Sequence, residues 1–95
     1  MARRGVVVTG MGCLSPLGTD VASTWDAALA GRSGVRALPE LDERLASRIA
    51  ATAVDEIDPG DLHPKEARRY DRTMLLALAA AREALADAGI EGQVE

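Results

Sequence analysis

Two hydrophobic rhythms alternate along this chain. Val6-Val7-Val8-Thr9 is β-branched throughout and does not alternate with polar residues. That pattern predicts a strand covered on both faces, as in the parallel sheet of an α/β protein. Gly10 and Gly12 follow, then Ser15-Pro16-Leu17-Gly18, which reads as an irregular loop. Thr19 or Asp20 is placed to cap a helix running to about Ala30, with Gly31 just past its end. Val21, Trp25, Ala28 and Leu29 fall at i, i+4, i+7 and i+8 and give that helix one apolar face.

From Arg32 to Arg44, Ser33-Gly34 and Pro39 interrupt any regular pattern, and the stretch is read as loop. Arg48 to Val54 is a candidate short strand, weakened by its alanines. Asp58-Pro59-Gly60 is a turn. His63-Pro64 reads as an N-cap followed by an N1 proline, opening a short helix through Arg69. A longer helix is predicted from about Asp71 to Ala88, ended by Gly89. The chain shows no internal repeat or low-complexity stretch.

The long helix changes the picture. Met74 to Ala81 is apolar on every side, whereas Arg82 to Asp87 carries charge. A helix that is hydrophobic all round must be enclosed on more than one side. The Val6–Thr9 strand makes the same demand. One strong strand, one weak strand and about three helices do not meet both demands. The expectation is extensive association or layers supplied by further sequence.

Composition sharpens this reading. The 95 residues include 47 % hydrophobic positions, but much of that is alanine and the only aromatics are Trp25 and Tyr70. Alanine favours helix yet contributes little burial. A chain this short buries only about 60–65 % of its unfolded surface, so a thin core points to a fragment. Cys13 is the sole cysteine. It excludes an intrachain disulfide and suits a reducing, cytoplasmic setting. No Cys/His cluster has metal-ligand spacing.

The net charge of -4 argues against general binding to nucleic acid or anionic membranes. Ala2-Arg3-Arg4 before Gly5-Val6-Val7-Val8 has the look of a leader, but the apolar run stops at Thr9-Gly10, short of a signal-peptide core. No run is long enough to cross a bilayer.

Three constellations are candidates for chemistry. Gly10-Met11-Gly12-Cys13-Leu14-Ser15 after a strand is like the dinucleotide fingerprint, but Ser15 replaces the third glycine and Pro16 follows where a helix should run. No second strand with an acidic end is found near Val35, and a structural turn accounts for the segment better. Cys13 would need a base to act as a nucleophile. The one histidine, His63, is already explained as a cap, so a small structural residue is the better reading. Lys65, Arg68, Arg69 and Arg72, diluted by Glu66 and Asp71, place positions 65, 68/69 and 72 on one side of a helix. Such a run is usually a solvated face; in an acidic protein it can also steer an acidic partner.

Taken together, these segments resemble the start of the β-ketoacyl-acyl-carrier-protein synthases of type II fatty-acid synthesis and their polyketide-synthase relatives. The matching residues are Arg4-Gly5-Val6-Val7-Val8-Thr9-Gly10-Met11-Gly12, Leu14-Ser15-Pro16-Leu17-Gly18, Ser23-Thr24-Trp25, Leu29-Ala30-Gly31 and Ser33-Gly34. Lys65-Glu66, Arg68-Arg69-Tyr70-Asp71 and Ala84-Leu85-Ala86-Asp87-Ala88-Gly89 continue the match. The order runs through essentially the whole chain, residues 1–95, as the N-terminal portion of that family's N-terminal domain. Val35 to Ser47 matches poorly, and Thr73 stands where many relatives have an aromatic.

The resemblance implies a thiolase-like α/β/α/β/α layered fold, of which this chain would supply the first strand and early helices. It implies a homodimer, no soluble cofactor and no metal. The implied reaction is a decarboxylating condensation through an acylated cysteine. The family's nucleophilic cysteine and two histidines are expected beyond Glu95; neither Cys13 nor His63 matches their motifs, so no catalytic role is carried over. Lys65, Arg68 and Arg69 match the basic surface on which acyl carrier protein docks. Alternatives are a non-catalytic chain-length-factor type of partner, a short module that binds an acidic protein, and a nucleotide-binding piece.

Overall fold

The computed structural model describes residues 3–54 and 57–90. Ala2 and Glu95 lie outside them.

Local capping chemistry sets the helices. α1 spans Val21–Leu29. The Asp20 carboxylate accepts the Ser23 N–H at 2.7 Å, and the Ser23 hydroxyl accepts the Asp20 N–H at 3.3 Å. This reciprocal box satisfies donors that a helix start leaves orphaned. The bonds from the Ser23 hydroxyl and then its N–H hold the Asp20 carboxyl below the usual aspartate range. At the other end Gly31 adopts φ +72°, and the Gly31 and Arg32 N–H groups close on the carbonyls of Ala28 and Ala27 at 3.1 and 3.0 Å.

β1 (Val35–Ala37) and β2 (Ile49–Ala51) form a two-stranded antiparallel sheet. The register pairs Val35 with Ala51, Arg36 with Ala50 and Ala37 with Ile49. The second strand lies inside the predicted Arg48–Val54 segment. The first lies in the stretch read as loop, because three residues are too few to show alternation and the partner that defines the strand is remote in sequence. Arg48 fastens the intervening loop: its guanidinium donates to the carbonyls of Pro39 at 2.6 Å, Leu41 at 2.9 Å and Asp42 at 3.3 Å. Leu38 is buried beneath this loop's start. Asp42 pairs with Arg44 at 2.6 Å, which lowers the Asp42 pKa and raises that of Arg44.

α2 is the single turn Pro64–Ala67, two residues shorter than its predicted extent because Arg68 already serves as the C-cap. His63 caps it, with Nδ1 accepting the Lys65 N–H at 3.1 Å. α3 spans Arg72–Ala88. The Asp71 carboxylate accepts the Met74 N–H at 2.9 Å, and Gly89 ends the helix at φ +72°.

The Val6–Thr9 run is not part of any sheet here. Val6 is 98 % exposed, and Val7 and Val8 are 78 and 81 % exposed. A strand exists only through its partners, and a run patterned for cover on both faces finds none among the described residues. Only Ala27 and Leu38 are buried hydrophobic residues among those described, while Trp25, Leu29, Met74 and Leu78 are exposed. The radius of gyration is 17.2 Å. A compact chain of this length would have one of about 12 Å. The accessible surface of 7911 Å² likewise exceeds the roughly 5,200 Å² of a folded monomer of this mass. The chain is α/β in class, without the covering layers its two most apolar elements require. Among the described residues no helix is long and apolar enough to cross a membrane.

Candidate functional site

Two regions carry the residues singled out by sequence: the glycine segment that leads into α1, and the basic elbow between α2 and α3.

The glycine segment lies along the body of α3. A Cβ on Gly12 would stand 1.8 Å from the Ala80 carbonyl oxygen, and one on Gly10 would stand 2.3 Å from that of Ala84. No side chain fits at either position. Ala80, Ala84 and Ala88 supply the small facing surface at i, i+4 and i+8 of α3. Polar anchors flank this contact: Met11 N–H donates to the Asp87 carboxylate at 3.1 Å, and Cys13 N–H donates to Glu83 Oε2 at 3.0 Å. Glu83 Oε1 accepts a further bond from Val21 N–H, the first residue of α1, at 2.8 Å. One carboxylate thus ties together the segment after the glycines, the start of α1 and the fourth turn of α3. A negative charge at a helix N-terminus is favourable there.

This geometry answers the dinucleotide-fingerprint reading. In such a site the glycines let backbone approach a pyrophosphate at the N-terminus of the following helix. Here both glycines face a helix flank, and the α1 N-terminus is occupied by the carboxylates of Asp20 and Glu83. The segment is a packing device.

Cys13 is half-buried in the same junction, with Sγ 3.8 Å from the Thr24 hydroxyl. Thr24 Oγ1 in turn lies 2.8 Å from Ser15 Oγ, which accepts the N–H groups of Leu17 and Gly18 at 3.1 and 3.2 Å. These hydroxyls order the Ser15–Gly18 turn. His63 is spent on its cap. Among the described residues, no group of three or more His, Cys, Asp or Glu could hold a metal ion.

The basic elbow is arranged differently from its helical reading. Lys65, Arg68 and Arg69 are exposed, on α2 and the turn just after it. None of the three is paired with a carboxylate among the described residues. The helix breaks after Ala67 and restarts at Arg72, so Arg72 does not continue the face of the other three. Its guanidinium points instead to the carbonyls of Ala53 and Val54. Arg82 does the same to the carbonyl of Asp58. The elbow is therefore three exposed cations that follow a stretch whose backbone carbonyls, at Ala53, Val54 and Asp58, are bound by α3 side chains.

Sequence reasoning missed Glu83, Asp87 and Arg82. A signal was present: Glu83 and Asp87 are four residues apart, interleaved with Ala80, Ala84 and Ala88 on one side of a helix. Here the acidic pair beside small residues lies on the face that receives the backbone of Met11 and Cys13.

Comparison with known proteins identifies the family. The family model "Beta-ketoacyl synthase, N-terminal domain" matches residues 3–95. The 3-oxoacyl-[acyl-carrier-protein] synthase 2 of Staphylococcus aureus is 42 % identical over 87 residues, covering 90 % of this chain and 21 % of the relative. The protein of that name from Coxiella burnetii is 39 % identical over 92 residues, covering 96 % of this chain and 22 % of the relative. The chain therefore spans about a fifth of the length of the curated relatives it matches. Both the glycine segment and the basic elbow lie within the matched residues. This chain belongs to the β-ketoacyl synthases, as part of their N-terminal domain.

Proposed function

We propose that the chain is the opening segment of a decarboxylating condensing enzyme that lengthens acyl chains held on an acyl carrier protein. The observation that carries this is the match over residues 3–95 to relatives named as 3-oxoacyl-[acyl-carrier-protein] synthases. In that reaction a cysteine thiolate takes the acyl group from its carrier thioester and releases the carrier thiol. A malonyl thioester then loses CO2, and the carbanion so formed attacks the acyl-cysteine carbonyl. A C–C bond forms, the C–S bond breaks and the thiolate returns. Cys13, held against Thr24, and His63, held in a cap, are not built for these steps; the catalytic cysteine and histidines belong to the rest of the polypeptide.

What this segment contributes is scaffold and docking. The scaffold is the first part of a thiolase-like layered fold, which accounts for the uncovered Val6–Val8 run and the apolar start of α3. In a homodimer of such subunits these surfaces are enclosed. Docking falls to Lys65, Arg68 and Arg69, whose exposed cations suit an acidic carrier protein. The test is a condensation assay on the polypeptide that carries this segment, with acyl- and malonyl-carrier protein as substrates. A 3-oxoacyl product with matched CO2 release is expected. Carrier binding without product would place the protein with non-catalytic chain-length partners.

A further inference from the structure

Arg82 lies on α3, outside the basic elbow, yet its side chain reaches the turn that leads into it. Its guanidinium donates to the carbonyl of Asp58 across 24 residues of chain. That contact closes a loop that runs from the Asp58-Pro59-Gly60 turn through α2 and back into α3, while Arg72 at the start of α3 holds the carbonyls of Ala53 and Val54 upstream of the turn. Gly60 packs directly on the guanidinium, where its φ of +64° also favours glycine. Gly60 N–H donates to the Asp58 carboxylate at 2.8 Å, so the turn that receives Arg82 is itself ordered. At the other end of the loop, Asp71 caps α3 at the Met74 N–H.

α2 itself is only Pro64–Ala67, and it buries none of its residues. With only Ala67 half-buried, this single turn has little packing to fix its direction. Its orientation relative to α3 is set by the two ends of the loop. One end is covalent continuity with the capped start of α3; the other is the Arg82–Asp58 contact.

We infer that Arg82 is a positioning residue for carrier-protein recognition: it closes the loop that presents Lys65, Arg68 and Arg69, without contacting the partner. The inference rests on the docking role proposed above for those three residues. A positioning contact of this kind couples to partner affinity as a discrete free-energy term.

The experiment uses the polypeptide that carries this segment and compares Arg82→Ala, Arg82→Lys and Arg68→Glu/Arg69→Glu. The readouts are KM and kcat with carrier-bound malonyl substrate, and turnover of a carrier-free pantetheine thioester. Arg82→Ala should raise KM for the carrier-bound substrate about five- to tenfold, with kcat within about twofold and pantetheine turnover unchanged. Arg82→Lys, which keeps one donor for the Asp58 carbonyl, should recover most of the loss. If Arg82→Ala yields no soluble protein, Gly60→Ala perturbs the same contact from the loop side and should show the same KM effect. An unchanged KM in Arg82→Ala or Gly60→Ala, beside a raised KM in Arg68→Glu/Arg69→Glu, would overturn the positioning role alone. An unchanged KM in Arg68→Glu/Arg69→Glu as well would overturn the docking reading on which it rests.

Discussion

Glu83 Oε1 stands 2.8 Å from the Val21 N–H, so a side chain on α3 accepts from the first amide of α1 across 62 residues of chain. The other oxygen of the same carboxylate receives the Cys13 N–H. Two hydrogen bonds to a charged group, each partly buried, give this junction its register.

Glu83→Gln keeps the shape but presents an NH2 group to one of two N–H donors. One bond is lost and a donor is left unsatisfied. Urea denaturation of the polypeptide carrying this segment should show a loss of about 2–3 kcal/mol. A loss below about 0.5 kcal/mol would mean that solvent takes the carboxylate's place without cost.

Gly12→Ala places a methyl 1.8 Å from the Ala80 carbonyl, and Gly10→Ala places one 2.3 Å from that of Ala84. Both contacts are with helix backbone, which has no rotamer to give way. Each substitution should cost about 2 kcal/mol or more, whereas Gly5→Ala, with nothing within 4 Å, should be near neutral. Equal melting temperatures for all three variants would contradict the close approach of this segment to α3.

The Asp20 cap gives a pH dependence with a definite sign. Its carboxyl is held below its ordinary value in the folded state, chiefly by the Ser23 hydroxyl. The stabilisation is therefore present above the unfolded aspartate pKa of about 3.9 and is lost as pH falls through the lower folded value. Amide exchange at Ser23 should accelerate, relative to the Ala27 amide, as pH falls below about 4. Asp20→Ala should remove that pH dependence. Persistence of the same profile in Asp20→Ala would assign it to another group.

The 95 residues in isolation should not melt cooperatively, because Val6 to Val8, Trp25, Leu29 and Met74 are all uncovered. Dye binding to exposed apolar surface and a broad thermal transition are expected. A monodisperse monomer with a sharp transition would contradict this.

The helix ends were legible in the sequence because capping is local. Asp20 with Gly31, His63 with Pro64, and Asp71 with Gly89 each declare a terminus through chemistry within one turn of chain. The strands were less so. Val35–Ala37 acquires its identity from Ile49–Ala51, and Val6–Thr9 has the pattern of a strand with no partner among the described residues to make it one. Of the basic residues, Lys65, Arg68 and Arg69 are exposed on and just after α2, whereas Arg72 does not continue their face. The helix break between Ala67 and Arg72 turns it toward Ala53 and Val54. The spacing of Glu83 among the α3 alanines marks a face but not its partners, and nothing local marks Arg82, since the groups they bind are backbone 62, 70 and 24 residues away.

In the proposed function, the exposed elbow of Lys65, Arg68 and Arg69 receives an acidic carrier protein. Its most direct test is the affinity of acyl carrier protein for the polypeptide carrying this segment, measured against salt. Arg68→Glu/Arg69→Glu should weaken binding at least about tenfold at low ionic strength and flatten the salt dependence. An unchanged affinity with an unchanged salt slope would contradict the claim.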